Sequence, residues 1–550
     1  MFCIGIIRRW FMDCKDGKPD QTILLPQYNE QFIPRVCILP PGNFRTYDQY
    51  QTTVLPTNIG DLISLNHPAR IINDVFDNLD YTEFYAQYQI EGAPAYHPIA
   101  MLKGIFYSMF TGSYSSRKIE DRYRHDVVVM YLSASQKPDY RTISRFLKRF
   151  SNVIEDLFQQ VVRLCIRLGL VGMNNVAFDG TKIKANASVK KTYDMERCNK
   201  IIKKCLEEIR KLDELEDAEL GDSNGEIIPA NLVEPKARKE KIQELIKQID
   251  EMEQIKTVLT QTGKKSINTK DPEANLMKNG GNIEPAYNAQ LAVDSANGVI
   301  VTAYVTGEQN DTQQFIEAYE SVVKITGMTP KAVTADAGYA SYEVLQYLSD
   351  NNIDGYIPDT RMRIENAGKS KKLPKSHFVY NIETDEYTCP GGRTLHFSGI
   401  QKTRKSESKK KYTTDCTDCP LHDKCTKSKY RTITRHPLEH LQDAMRKKLM
   451  SDAGKAIYNE RMYTVENVHS NVKYNNECYE FSVRGKKNAN SQLLLYSILH
   501  NLKKIVKFLI SSTVESSSFL FYSAIHLVSS FFQGPRYRHM SSIRSNRLSI

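Results

Sequence analysis

Two apolar stretches that each run into an aspartate constrain this chain more than any other feature. The first, 176-VAFDGTKIKA-185, reads as a strand in which Val176, Ala177 and Phe178 lead to Asp179 and Gly180. The second, 331-KAVTADAG-338, carries Val333, Thr334 and Ala335 to Asp336, with Gly338 two residues on. A carboxylate at the end of an apolar strand is costly to bury unless it is partnered, and a metal ion is one such partner. In open α/β sheets ligands bind outside the carboxyl ends of the strands. Asp-Gly is also a turn dipeptide, so either aspartate alone says little. Two of them, on strands expected to be neighbours, say more.

The pattern around them supplies the sheet. The runs 287-YNAQLAVD-294 and 299-VIVTAYVT-306 flank Ser-Ala-Asn-Gly, a β-hairpin signal. A helix is predicted over 311-DTQQFIEAYESVVKIT-326, with Asp311 as a capping residue at its start, then the strand 331–338. Another helix over 341–351 and a strand over 353–358 complete the order β-β-β-α-β-α-β, a mixed sheet of α/β type. Two segments interrupt it. Residues from about 189 to 282 are highly charged, and 198–220 and 236–259 have helical periodicity around the turn GDSNGEIIP, which predicts an antiparallel helical hairpin. Residues from about 360 to 440 are rich in Lys, Gly and Cys, with little periodicity. Helical patterns resume over 438–473 and 491–510.

Ahead of the sheet, residues 61–170 read as helical. In 97-HPIAMLKGIFYSMF-110, Met101, Leu102, Ile105, Phe106 and Met109 form one apolar stripe. Ser115 or Ser116 caps a helix through RKIEDRYRHDVVVMYL. Asp139 caps the next, where Ile143, Phe146, Leu147 and Phe150 lie on one side and Arg141, Arg145, Lys148 and Arg149 on the other. A basic helix face suits docking on DNA, and equally a solvated surface.

The net charge of +11 is concentrated: residues 361–450 hold 21 Lys and Arg against 10 Asp and Glu. A local basic surface favours a polyanion, nucleic acid above all. No apolar run reaches the roughly 18 residues needed to span a bilayer. The start, MFCIGIIRRWF, is too short in its apolar run for a signal peptide, and 519-FLFYSAIHLVSSFF-532 is broken by His526 and serines. A cytoplasmic protein is expected, and its eleven cysteines should then be thiols or metal ligands. Cys389, Cys416, Cys419 and Cys425 cluster in YTCPGG and CTDCPLHDKC, a spacing suited to a structural Zn²⁺, with His422 or His436 as substitute ligands. Four reduced cysteines in a loop is the alternative.

A third carboxylate belongs to 458-YNERMYTVENVHSNVK-473. Glu466 and Lys473, seven apart, share a helix face, as do Tyr458 and Arg461 one turn earlier. Spacing alone allows a surface ion-pair network.

Taken together, FDGTKIKANAS, YNAQLAVD, TADAGYAS and Y-x2-R-x4-E-x6-K resemble the DDE transposases of bacterial insertion sequences, and the helical region with PDYRTISRF resembles their InsH-type N-terminal domain. The resemblance spans roughly 45–510, in the family's order. Many such enzymes have three residues between the Arg and the Glu; four stand here, as in one subgroup. The resemblance implies an RNase H-like fold, with a helical DNA-binding domain over 45–170 and a catalytic domain over 171–510; the terminal segments 1–44 and 511–550 carry no readable motif. It implies Asp179, Asp336 and Glu466 as ligands of Mg²⁺ or Mn²⁺, with Tyr458, Arg461 and Lys473 positioning DNA or the active-site helix. Two ions roughly 3.5–4 Å apart serve an in-line phosphoryl transfer, so no Ser or Tyr nucleophile is required. The implied partners are inverted-repeat ends and target DNA, bound by a homo-oligomer. An RNase H-like nuclease without strand transfer and a transposase-derived DNA-binding protein are the competing readings.

Overall fold

Strand β1 (Asn175–Lys184) is the axis on which the site is built. The computed structural model describes residues 58–88, 94–220, 235–366, 368, 372–402 and 408–514, without the side chains of 215–220, 235, 366 and 512–514. The apolar segments at 1–11 and 519–532, the turn GDSNGEIIP and the tail 511–550 beyond residue 514 lie outside them. The chain divides into two compact units, Met1–Thr57 and Asn58–Ile550, and every described residue belongs to the second.

Seven helices precede β1 among the described residues: α1 (Pro68–Asp77), α2 (Thr82–Tyr85), α3 (Pro98–Phe110), α4 (Ser116–His125), α5 (Val127–Leu132), α6 (Tyr140–Arg149) and α7 (Ile154–Arg167). The predicted stripe of α3 is buried in full. Ser115 caps α4 by accepting from the Lys118 amide, and Asp139 caps α6 by accepting from Thr142 at 2.6 Å; each such cap contributes about 1 kcal/mol. The single helix expected through 117–132 is instead two. Asp126 leaves the helical conformation and accepts from the amides of Val128 and Val129, so its side chain starts α5. Short Asp side chains compete with the helix backbone in this way.

After β1 come a small antiparallel pair, β2 (Thr192–Asp194) with β3 (Ser266–Asn268), and between them α8 (Met195–Leu220) and α9 (Pro235–Thr262). These two helices pack through Cys205, Leu212 and Leu245, the hairpin the periodicity predicts. The main sheet adds β4 (Asn275–Asn279), β5 (Asn282–Asp294), β6 (Ile300–Thr306), β7 (Ala332–Ala335) and β8 (Gly355–Tyr356). Its order is β4-β5-β1-β7-β8, with β6 also on β5. β1 is antiparallel to β5 and parallel to β7, giving the mixed sheet expected. β4 is a correction: the stretch assigned to the charged insert reaches the sheet through Gly280 and Gly281, whose positive φ values of 57° and 98° permit a tight turn. Crossovers α10 (Gln314–Thr326) and α11 (Tyr342–Asp350) pack beside the sheet, Phe315 meeting Phe178 at 5.1 Å.

A seven-residue helix, α12 (Thr360–Asn366), leads into the Cys-rich segment, which is not irregular. It forms a five-stranded antiparallel sheet of β9 (Val379–Asn381), β10 (Glu386–Thr388), β11 (Thr394–Lys402), β12 (Ser408–Asp415) and β13 (Tyr430–Arg435), in the order β13-β12-β11-β10-β9. Only a small core of Phe378, Tyr387, Leu395, Tyr412, Cys425 and Ile433 holds it. One short helix, α13 (His422–Cys425), lies in the β12–β13 connection.

The C-terminal helical reading divides into α14 (Glu439–Met450) and α15 (Asp452–Arg461), separated at Ser451, which caps the second. Then follow a π-helical turn (Met462–Glu466), α16 (Asn467–Ser470) and another π turn (Asn471–Asn475). The last described element, α17 (Lys486–Val514), buries Leu493, Ile498, Leu502 and Ile505 in the same apolar core as α3, α7 and β1. Among the described residues no helix is long and apolar enough to cross a membrane.

Candidate active site

Register brings the two aspartates together. Phe178 pairs with Ala335 at the last rung of the parallel β1–β7 ladder, so Asp179 and Asp336 are the next residues on adjacent strands. Asp336 ends its strand as expected; Asp179 does not. β1 runs on through Gly180 to Lys184 against β5, and what stops at Asp179 is the pairing with β7. The sheet therefore opens at that point, leaving room for charge.

Burial dominates Asp179. Its side chain is 17% exposed, and burial pushes its pKa up to about 7; Arg461 opposes the rise, and Asp336 and Asp311 add to it. Arg461 approaches Asp179 at 3.5 Å and pairs with Glu466 at 3.1 Å, bridging the sheet carboxylate and the helix carboxylate. Tyr458 is half-buried beside them: burial raises its pKa first, Arg461 lowers it, and Asp336, Asp179 and Glu466 all raise it. Lys473 lies one π turn beyond and donates to Thr181 Oγ1 at 3.2 Å and to the Lys182 carbonyl at 2.8 Å, fastening the helical segment to β1. Asn175 Nδ2 donates to Glu460 at 2.7 Å and does the same at the other end of β1.

The four-residue gap between Arg461 and Glu466 is accommodated by the first π turn. Its i→i+5 repeat sets residues five apart over one another, where an α-helix would place them about 140° apart.

Two groups at this site were not singled out in the sequence as part of it. His469 is buried, with Nε2 3.7 Å from Asp179 Oδ2, and burial pushes its pKa down to about 4. Asp311 does not cap α10. The helix starts at Gln314 with no side-chain cap, while Asp311 Oδ1 accepts from Asn288 Nδ2 at 2.6 Å and Gln290 Nε2 at 2.7 Å and lies 3.4 Å from Lys182 Nζ. A signal was available. Asn288 and Gln290 alternate on an otherwise apolar strand, so they share a face and need a common partner. Gly180 faces this group, and a Cβ there would meet Asp311 and Gln290 at 2.5 Å.

Oxygen donors of this kind, with clustered like charge, fit a hard divalent cation. Among the described residues no group of three or more His, Cys, Asp or Glu side chains is gathered so as to hold a metal ion, the thiols included.

Those thiols gather at one end of the five-stranded sheet. Cys389 follows β10, Cys416 follows β12, and Cys425 ends α13. The sulfurs of Cys419 and Cys389 lie 3.4 and 3.6 Å from the point a Cβ on Gly391 would occupy. Burial raises the Cys425 thiol pKa; Arg431 lowers it, and the other three cysteines raise it further. His422 bonds to Asp423 and Ser428, and His436 stacks on Tyr342.

On α6 the charged face is as expected. Arg141, Arg145, Lys148 and Arg149 are exposed, while Ile143 and Phe146 are buried. Arg149 is engaged in packing, 5.0 Å over the Tyr88 ring and bonded to the Gln87 carbonyl.

Comparison with known families places both ends of the described chain. Residues 388–506 match a family model described as a transposase DDE domain, a span that includes Tyr458, Arg461, Glu466 and Lys473. Residues 57–149 match a transposase domain (DUF772), which takes in α1 to α6. No curated protein and no solved structure matches the chain.

Proposed function

We propose, from the premise that this chain is a DDE transposase of insertion sequences, that it binds the ends of its element, cleaves the DNA there and joins the freed ends to a target. The observation that carries this reading is Arg461 bridging Asp179 and Glu466, with Asp336 the neighbour of Asp179 on the adjacent strand. We read the mixed sheet as RNase H-like; the antiparallel run β6-β5-β1, continued by parallel β7 and β8, supports it.

Asp179, Asp336 and Glu466 would hold Mg²⁺ or Mn²⁺, as a pair of ions. Bound there, the ions supply activation of the attacking oxygen and stabilisation of the leaving one. The protein's own groups do the rest. Arg461 compensates two carboxylates that would otherwise repel, and so keeps the helix carboxylate within reach of the sheet. Lys473 fixes the register of that helix by bonding β1 directly. His469, packed against Asp179, limits its rotamers and excludes water from its inner side. Because hydroxide or a DNA 3′-hydroxyl attacks directly, no side chain needs to form a bond to DNA.

Phosphate contacts fall to basic surfaces: Arg141, Arg145, Lys148 and Arg149 in the N-terminal domain, and the Lys-rich β12 in the Cys-containing insert. Zn²⁺ on Cys389, Cys416, Cys419 and Cys425 would staple that insert, whose apolar core is too small to fix its far end alone. Holding two element ends at once calls for at least two copies of the chain.

The test uses the full chain, Mg²⁺ and DNA carrying the inverted repeats that flank its gene. Nicks bearing 3′-hydroxyls, followed by joined products, are the expected outcome. Cleavage without joining would support the nuclease reading, and binding without cleavage the DNA-binding one.

A further inference from the structure

The least expected polar group in the fold lies on the α10 side of the main sheet. Asp179 and Gly180 are successive in β1, so their side-chain directions are opposed. Asp179 faces Arg461 and His469; Gly180 faces Asp311, Asn288 and Gln290. Asp336, just beyond the end of β7, is within reach of both groups. Its Oδ1 and Asp311 Oδ2 lie 2.9 and 3.4 Å from the same point, the place a Cβ on Gly338 would take.

Hydrogen bonding fixes how Asp311 is presented. Asn288 Nδ2 donates to the Glu308 carbonyl and to Asp311 Oδ1, which sets the orientation of that amide. Gln290 Nε2 donates to the same Oδ1, and its own Oε1 accepts from Tyr339. Lys182 also reaches Oδ1. Every donor to Asp311 among the described residues therefore converges on one oxygen, and Oδ2 is left turned toward Asp336.

A second atom points the same way. Asn288 is fully buried and its orientation is fixed, yet Oδ1 has no donor; it lies 3.0 Å from the Cβ position of Gly180, in the gap that Asp311 borders. A buried acceptor without a partner has lost its water and gained nothing in return, which destabilises the fold. Asp336 Oδ1 accepts from the Gly338 amide at 2.8 Å, and the two carboxylates flanking Gly338 repel each other as well. A hard divalent cation such as Mg²⁺ or Mn²⁺, which prefers oxygen ligands, would offset the repulsion and is the kind of partner such an acceptor lacks.

We infer that Asp311 is a further carboxylate ligand of the catalytic metal centre, sharing a divalent cation with Asp336, and that Asn288 and Gln290 hold it in place. This rests on the metal-dependent reading above. It makes the site a four-carboxylate centre, Asp179, Asp336, Glu466 and Asp311, drawn from both faces of the sheet.

Mn²⁺ titration calorimetry on the full chain without DNA tests it. Asp311→Asn should weaken Mn²⁺ binding about tenfold, as should Asp336→Asn, and leave the melting temperature in EDTA unchanged or higher. Asn288→Ser, which removes both an anchor and the unpaired oxygen, should weaken it about threefold and decides the matter if Asp311→Asn does not fold. Affinity equal to wild type in the folded Asp311→Asn, or in Asn288→Ser should that variant be needed, alongside a loss in Asp336→Asn, overturns Asp311 as a ligand and leaves the metal reading standing. A wild-type protein that binds no Mn²⁺ overturns both.

Discussion

Arg461 and Glu466 are five residues apart in one continuous helical segment, yet their side chains meet at 3.1 Å. The π turn Met462–Glu466 makes this possible, and it falls where four residues, and not the three of many DDE transposases, separate the Arg from the Glu. A π turn is a single-residue insertion absorbed into an α-helix, and such turns collect at functional sites. Removing one of its exposed residues should therefore restore an α-helix and keep the pair at i,i+4. Tyr463, 77% exposed, is the residue to delete. The shortened protein should cleave DNA within about tenfold of wild type, about 1.4 kcal/mol in barrier. Loss of cleavage in a folded deletion variant would mean that the extra residue has a task of its own.

The Cys cluster predicts metal content. Carefully prepared protein should carry about one zinc per chain, and Cys416→Ser with Cys419→Ser should lose it. Proteolysis should then open residues 389–425 while the main sheet, with its separate core, stays folded. Metal analysis that finds no zinc would return these residues to thiols in a small β-sheet.

For α6 the prediction is a salt slope. Arg145 and Lys148 are exposed, whereas Arg149 is committed to Tyr88 and Gln87. Arg145→Ala with Lys148→Ala should weaken end binding and flatten its salt dependence by roughly two units or less. An unchanged slope would make this face a solvated surface.

Acid should loosen the contacts that α17 makes with Asn471 and Gly298 through His500. Its Nε2 contacts the Gly298 carbonyl at 2.8 Å, its Nδ1 contacts Asn471 at 3.0 Å, and burial pushes its pKa down to about 4. An unfolded histidine titrates near its ordinary value of about 6.5, so the unfolded chain binds more protons between the two values. Stability supplied by this group is complete above pH about 6.5 and is lost as pH falls toward 4, on the order of 3 kcal/mol in all. His500→Gln should lower stability at pH 7 and flatten its fall in that window, as followed by urea unfolding. An equally steep fall in the variant would place the acid-sensitive group elsewhere.

Much of this was legible in the sequence because it is local or periodic. The strands at Asp179 and Asp336, the hairpin around Ser295–Gly298, the stripe of α3 and the cap at Asp139 each follow from a pattern a few residues long. What was hidden depends on distant partners. Asp311 reads as a helix start until Asn288 and Gln290, more than twenty residues earlier, are placed across from it. The five-stranded sheet was invisible because its strands are exposed on much of both faces, so no alternation of apolar and polar residues marks them. Asp126 and the π turns were missed for another reason: helical periodicity persists through a one-residue break. The spacing Y-x2-R-x4-E did signal something unusual, though not its form.

If Asp179, Asp336 and Glu466 form one metal-dependent phosphoryl-transfer centre, Mg²⁺-dependent cleavage of end DNA needs all three, and Asp179→Asn, Asp336→Asn and Glu466→Gln are to be compared with wild type. Each substitution keeps side-chain size and removes one negative charge. Loss of a ligand should cost several kcal/mol of barrier, roughly a hundredfold or more in rate, while DNA binding persists through the basic surfaces. In EDTA the Asp179 variant should be at least as stable as wild type at neutral pH, since its buried charge is opposed by burial and by Asp336. All three variants binding DNA and failing to cleave it is the result predicted. Normal cleavage by Glu466→Gln, with Asp179→Asn inactive, would remove Glu466 from the centre and leave the segment 458–473 a structural helix.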